Sequence, residues 1–114
     1  MNTIDEMIEI RGAIASMPSP VAKAATKIYN AFINGISIRK LIKAYALDAE
    51  YSVRSSIKMA YFVLALRALS KEFDTPYEQD TKQFFEKESE LWRGYIVRHN
   101  YFNVHETRDI IMAL

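Results

Sequence analysis

The sequence contains no cysteine, and glycine and proline are rare, with three of each in 114 residues. The absence of cysteine excludes disulfide bonds, thiolate catalysis and cysteine-based zinc sites. No segment alternates apolar and polar residues in the manner of a half-buried strand, and few residues favour tight turns. These absences favour a helical protein with a small number of well-separated breaks.

The sequence also lacks a long apolar segment and a basic leader. No uncharged run approaches the ~20 residues that a membrane-spanning helix requires. Asp5, Glu6 and Glu9 lie where a signal peptide would carry cationic residues. We therefore expect a cytoplasmic protein that does not bind membranes.

Apolar and aromatic residues are abundant. Half of the residues are apolar, and the chain has seven tyrosines, six phenylalanines and one tryptophan. This composition is not that of a disordered tail. The length suits one domain that spans residues 1–114, or one half of a dimer.

Helix start and stop signals predict five or six helices. Capping boxes, in which a side chain at each end of a four-residue segment satisfies a free backbone N–H, occur at 3–6, 75–78 and 103–106. The other predicted N-cap residues are Ser19, Ser37 and Asp48. Gly35 is predicted to end helix 2 in a left-handed conformation.

Helix 4 is predicted to span about 49–72 and to be the buried centre of the fold. Its segment 59–69 is apolar on every side except at Arg67, and a helix of that kind must be enclosed by others. The sequence therefore predicts an all-α bundle of five to six helices around helix 4.

The charges are strongly segregated along the chain. Residues 20–71 carry nine basic and two acidic side chains, a net charge of +7, whereas the whole chain has a net charge of +1. Such a segment favours a surface that binds an anionic partner, although its cations are equally consistent with solubilising charges that pair with the acidic C-terminal third. The residues predicted to form this surface are Lys23, Lys27, Arg39, Lys40, Lys43, Arg54 and Lys58.

Two charged residues interrupt otherwise apolar patterns. Glu88 lies within the aromatic face of the predicted helix 5, about residues 76–99, and burial of a lone carboxylate is costly. We therefore predict an ion pair between Arg67 and Glu88 that sets the register of helices 4 and 5. The alternative is a small-molecule pocket around Glu88, Tyr95 and His99, with Arg67 and Glu88 at its floor for an anionic ligand.

No catalytic motif is present in the sequence. It has no glycine-rich phosphate loop, no nucleophile elbow and no paired-histidine zinc motif. His105 and Asp109 are spaced to share a metal ion, but a stable site normally needs three or four ligands. We expect no catalytic residues, no metal and no cofactor.

These observations lead to two functional interpretations. The first is a small non-enzymatic binding protein that docks on a larger protein partner and regulates or inhibits it, in the manner of mobile-element inhibitors, antitoxins and immunity proteins, although that comparison is an analogy. The second is a nucleic-acid-binding protein that uses the basic face of helices 2–4, with Tyr51 stacking on bases. Apolar residues on more than one side of helix 1 further suggest a homodimer.

Overall fold

The computed structural model of the chain describes residues 4–99 and 105–113, which contain six α-helices and one 3₁₀ turn. The capping boxes predicted at 3–6 and 103–106 include residues outside these ranges. The helices are α1 (Ile4–Ala15), α2 (Ser19–Ile33), α3 (Ile38–Ala49), α4 (Val53–Ser70), α5 (Gln79–Arg98) and α6 (His105–Met112), with the 3₁₀ turn at Pro76–Glu78.

Helix α4 lies at the centre of the fold, as predicted. It packs against α2, α3, α5 and α6, while α1 packs on α2. Because α4 is apolar on nearly every side, it is stable only when other helices remove it from water. Neither α4 nor any other described helix is long and apolar enough to cross a membrane. The fully buried residues of α4 are Met59, Ala60, Val63, Ala65, Leu66 and Leu69.

A cluster of phenylalanine rings joins α2, α5 and the segment after α4. Phe73 and Phe85 stack with parallel ring planes and centroids 5.3 Å apart, and Phe32 lies 5.3 Å from Phe85 and 6.1 Å from Phe73. Each such contact contributes ~0.5–1.5 kcal/mol beyond burial of the ring area. The cluster therefore closes the bundle at the end of α4.

The turn between α3 and α4 lies later than predicted. Asp48 is not the N-cap of α4, because α3 continues to Ala49, which is buried and extends the apolar face of α3. Ser52 is the N-cap instead: its backbone is extended and its hydroxyl accepts a hydrogen bond from the Ser55 N–H at 3.3 Å. The predicted helix of about 49–72 is therefore Val53–Ser70.

The connection between α2 and α3 agrees with its prediction, but the start of α2 does not. Gly35 has a φ of 71°, and the Ser37 hydroxyl accepts a hydrogen bond from the Lys40 N–H at 3.3 Å. Ser19, by contrast, already belongs to α2, and Pro18 takes the cap position with its carbonyl accepting from the Ala22 N–H at 2.8 Å.

The start of α5 also differs from its prediction. The Thr75 hydroxyl donates to the Glu78 carboxylate at 2.7 Å and makes no capping bond to the backbone. A 3₁₀ turn consequently precedes α5. Tyr77 is 98% exposed within that turn.

Tyr29 of α2 has a buried hydroxyl. The residue is fully buried, and among the described residues its hydroxyl has no hydrogen-bond partner. Burial raises the pKa of Tyr29 above its ordinary 10.0; Glu6 and Glu78 raise it further, while Arg11, whose guanidinium lies 5.6 Å from the ring centroid, opposes the rise. The hydroxyl is therefore retained in its neutral form at a cost to stability.

Replacing Tyr29 with phenylalanine tests this cost. We expect Tyr29→Phe to raise the free energy of unfolding at neutral pH by about 1 kcal/mol, because an unpaired buried hydroxyl has given up its hydrogen bonds to water. Because the pKa of Tyr29 is higher in the native than in the unfolded chain, wild-type stability falls as pH rises above 10.0, and the variant lacks this fall. Urea unfolding on both sides of that pH measures both effects, with Tyr77→Phe as the exposed control.

Candidate functional site

The predicted basic residues divide into groups on either side of α3. Arg39 and Lys43 line a groove between α3 and α5, which we call the α3/α5 groove. Lys40 is exposed and, by helical arithmetic, lies on the outer side of α3. The remaining residues line a groove between α2 and α4, called here the α2/α4 groove: Lys23, Lys27, Arg54 and Lys58.

The α2/α4 groove combines cationic walls with an apolar floor. Its volume is about 640 Å³, and no acidic side chain of the described residues lines it. This combination suits a ligand that presents both negative charge and apolar surface. The floor and ends are formed by Pro20, Ala24, Thr26, Ile57, Tyr61 and Phe62.

Helical spacing places the cations on opposite walls. Lys23 and Lys27 are four residues apart on α2, and Arg54 and Lys58 are four apart on α4, so each pair lies along one edge with a rise of about 6 Å. The apolar face of α2 is directed into the core, which leaves its two lysines at the rim. The first turns of α4, which carry Arg54 and Lys58, form the second rim.

Tyr45 of α3 brings cations from both walls together. Lys27 donates to the Tyr45 hydroxyl at 3.3 Å, and the ammonium groups of Lys27 and Lys58 lie 5.8 and 4.9 Å from the ring centroid. The ring itself packs on Phe62 at 4.4 Å. One aromatic side chain thus contacts two like charges, and a carboxylate bound between them would relieve their repulsion.

The acidic C-terminal third does not neutralise this groove. Within the described ranges, ion pairs are formed by Arg39 with Glu88 and by His105 with Asp109. None of the four cations of the α2/α4 groove takes part in an ion pair there.

Glu88 is buried, as its position in the aromatic face indicated, but its partner is Arg39. The carboxylate is 3% exposed and accepts two hydrogen bonds, from Arg39 Nε at 3.1 Å and from Arg39 Nη2 at 3.0 Å. These bonds, together with the charge of the carboxylate, raise the pKa of Arg39 above its already high value. The pair joins α3 to α5, both of which pack on α4.

The predicted ion pair between Arg67 and Glu88 is wrong. Arg67 is exposed and lies beside Ser89, Glu90 and Arg93 on the other flank of α5. The five residues from Glu88 to Arg93 correspond to about 140° around the helix, so Glu88 is directed toward α3 instead. The sequence feature that could have indicated Arg39 as the partner is the length of its side chain. An arginine at an exposed position can lay its aliphatic stem along apolar surface and reach a buried carboxylate.

The alternative pocket around Glu88, Tyr95 and His99 does not form either. Tyr95 lines the α3/α5 groove, whereas Glu88 lines a separate cleft beside Ile36 and Phe84. His99 stacks on the Tyr95 ring with centroids 3.9 Å apart, and its Nδ1 lies 2.9 Å from the Tyr95 carbonyl oxygen. The histidine is thus engaged at the C-terminal end of α5, away from Glu88.

Metal ligands and similarity to known proteins provide no further information about the site. The described residues contain no group of three or more side chains able to hold a metal ion, and His105 and Asp109 form only a contact of 3.7 Å. No protein-family model, curated protein or solved structure matches the chain. The α2/α4 groove is therefore the candidate site, on the grounds of its charge, shape and lining.

The dependence of the fold on the Arg39–Glu88 pair can be tested by thermal unfolding. We expect Arg39→Ala to lower the melting temperature by roughly 5 °C, because it leaves a buried carboxylate without its partner. The double variant Arg39→Ala/Glu88→Leu should be more stable than Arg39→Ala alone, since it removes the buried charge as well. Lys40→Ala, on the exposed side of α3, is the control. If Arg39→Ala and Lys40→Ala lowered the melting temperature equally, the pairing of Arg39 with Glu88 would be contradicted.

Proposed function

We propose that the protein is a small non-enzymatic binding protein that docks on a larger protein partner and thereby regulates or inhibits it. The α2/α4 groove is the docking surface, and its ligand is an acidic segment of the partner that also carries apolar side chains. The observation that carries this proposal is the set of four cations around an apolar floor, none of them neutralised within the described part of the chain.

The apolar floor favours a protein ligand over a nucleic acid. A nucleic-acid backbone would satisfy the cations through its phosphates but would leave much of the floor uncovered. An amphipathic helix with acidic flanks meets both demands, because its apolar side chains fill the floor while its carboxylates reach the walls. Ile57 and Phe62 lie where such anchors would pack.

The charge of the groove also determines how docking responds to salt. Complementary charges at the rim of an interface mainly accelerate association and select the partner, and exposed charges are screened by salt. A partner with an acidic, apolar-bearing surface would therefore associate faster at low ionic strength. The apolar floor would contribute the part of the affinity that salt does not remove.

Charge reversal in the groove tests the proposal directly. The probe is a fluorescently labelled amphipathic peptide of leucine and glutamate at helical spacing, and fluorescence anisotropy measures its binding. We expect Lys27→Glu/Lys58→Glu to weaken binding by at least about tenfold, because carboxylates would then face carboxylates. Lys40→Glu/Lys43→Glu makes the same change in net charge outside the groove and should bind nearly as tightly as the wild type. Equal affinity of the groove variant and the wild type would overturn the proposal.

Nucleic-acid binding is the second candidate, because the same unneutralised cations suit phosphates and Tyr51 is 88% exposed. A single-stranded oligonucleotide in the same assay separates the two functions. If all four groove cations contact phosphates, the logarithm of affinity falls with the logarithm of salt concentration at a slope of roughly −3. Tighter binding of the oligonucleotide than of the peptide, with that slope and with loss in the groove variant, would replace the first candidate by the second.

A further inference from the structure

The outer face of α1 exposes an apolar stripe. Ile4 and Ile8, one turn apart, are 76% and 64% exposed, although isoleucine is among the residues most often buried. Gly12 and Ala15 continue the same face, while Ile10 and Ile14 are directed into the core on the opposite side. Among the described helices, α1 makes its main contacts with α2. These contacts leave the stripe exposed.

Acidic side chains flank the stripe. Asp5 and Glu9 are exposed, lie one turn apart on the flank of the helix next to Ile4 and Ile8, and form no ion pair within the described ranges. The outer face of α1 is thus an acidic amphipathic helix surface. It has the chemistry that the α2/α4 groove requires of a ligand.

Gly12 supports a close approach by another helix. A Cβ atom added at this position would meet nothing within 4 Å, so no packing within the chain requires glycine there. Glycine in a helix interior weakens the helix, and its absence of a side chain lets a second backbone come near. Gly12 therefore leaves room on the stripe for a neighbouring helix that the described part of the chain does not supply.

We propose that the outer face of α1 of a second copy of this chain occupies the α2/α4 groove. The dimensions agree: from Ile4 to Gly12 and from Arg54 to Phe62 the helices each rise by about 12 Å. The charges agree as well, since the acids of α1 meet the lysines and arginine of the groove walls. The isoleucines fill the apolar floor.

A chain cannot place its own α1 in its own groove while α1 stays packed on α2. Arg11 of α1 donates to Asn30 at 3.1 Å and lies over the ring of Tyr29, and Ile10 and Ile14 of α1 are buried in the core. The outer face of α1, on the side opposite the buried Ile10 and Ile14, therefore cannot enter the groove of its own chain. Two copies can exchange the contact reciprocally, which produces a closed two-fold dimer.

The dimer contact would regulate the docking groove. This consequence rests on the proposed function, because a partner's acidic segment and the second copy's α1 would compete for the same residues. A partner that binds in the groove would separate the dimer, and a high concentration of the protein alone would oppose docking.

A charge exchange tests the dimer contact. Light scattering at low salt should give a mass near twice the 13.2 kDa of the monomer for the wild type. Asp5→Lys/Glu9→Lys and Lys23→Glu/Lys27→Glu should each weaken the dimer at least tenfold, and their combination should restore it, because the opposite charges then face each other again in exchanged positions. Lys40→Glu/Lys43→Glu should leave the dimer intact. A wild-type monomer at all concentrations, or a dimer that none of these changes weakens, would overturn the inference.

Gly12→Leu supplies a second test that does not depend on charge. The monomer has room for the added side chain, so thermal unfolding of a diluted sample should show no loss of stability, while the dimer should weaken because the backbones can no longer approach. Ala44→Leu, an equivalent enlargement at an exposed position of α3, is the control and should not affect the dimer. Gly12→Leu with an undiminished dimer would also overturn the inference.

The result is independent of the test of the proposed function. Asp5→Lys/Glu9→Lys leaves the groove of each chain unchanged, so it should still bind the acidic peptide, and more readily than the wild type if the dimer competes. Peptide binding without a dimer would support the docking function of the groove and overturn only the proposed dimer contact. A dimer that responds to the charge exchange, without peptide binding, would support the dimer contact and overturn the proposed docking function.

Discussion

The enclosure of α4 is the constraint on which the rest of the structure depends. A helix that is apolar on nearly all sides has no face to offer to water, so its burial requires several neighbours at once. α2, α3, α5 and α6 meet that requirement, and their order around α4 determines which residues of different helices become neighbours. The phenylalanine cluster at one end and the hydroxyl contact of Ser56 with Thr107, at 3.4 Å, join these helices to the enclosed one.

The candidate site lies where this enclosure is incomplete. The first turns of α4 carry Arg54 and Lys58, whose charges resist burial, so α2 cannot close completely over that end of the helix. Ile57 and Phe62 consequently line an open groove, and its walls are the exposed lysines of α2 and the polar first turns of α4. The fold and the candidate site therefore rest on the same sequence feature, the change of α4 from polar to apolar along its length.

Much of the fold was predictable from the sequence, because caps and apolar periodicity are local signals. Gly35, Ser37 and the apolar segment 59–69 each agree with the structure. Asp48 and Ser52 are both good N-cap residues, and only the packing of α3 decided between them. The error over Arg67 has a similar origin: a helical wheel gives the direction of Glu88 on its own helix, but not which neighbouring helix lies in that direction. For the same reason, the division of the basic residues between the two sides of α3 could not be predicted from the sequence.

The segregation of charge along the chain acquires a physical reason when the positions of α1 and the groove are compared. Opposite charges within one chain attract, and the acidic first segment could have neutralised the basic middle segment by folding onto it. It does not, because the burial of Ile10 and Ile14 holds α1 on α2 with its acidic outer face directed away from the core. Burial of these two side chains outweighs the weak attraction between exposed charges. The acidic face and the cationic groove are thus kept apart within one molecule. Contact between them requires a second molecule of the protein.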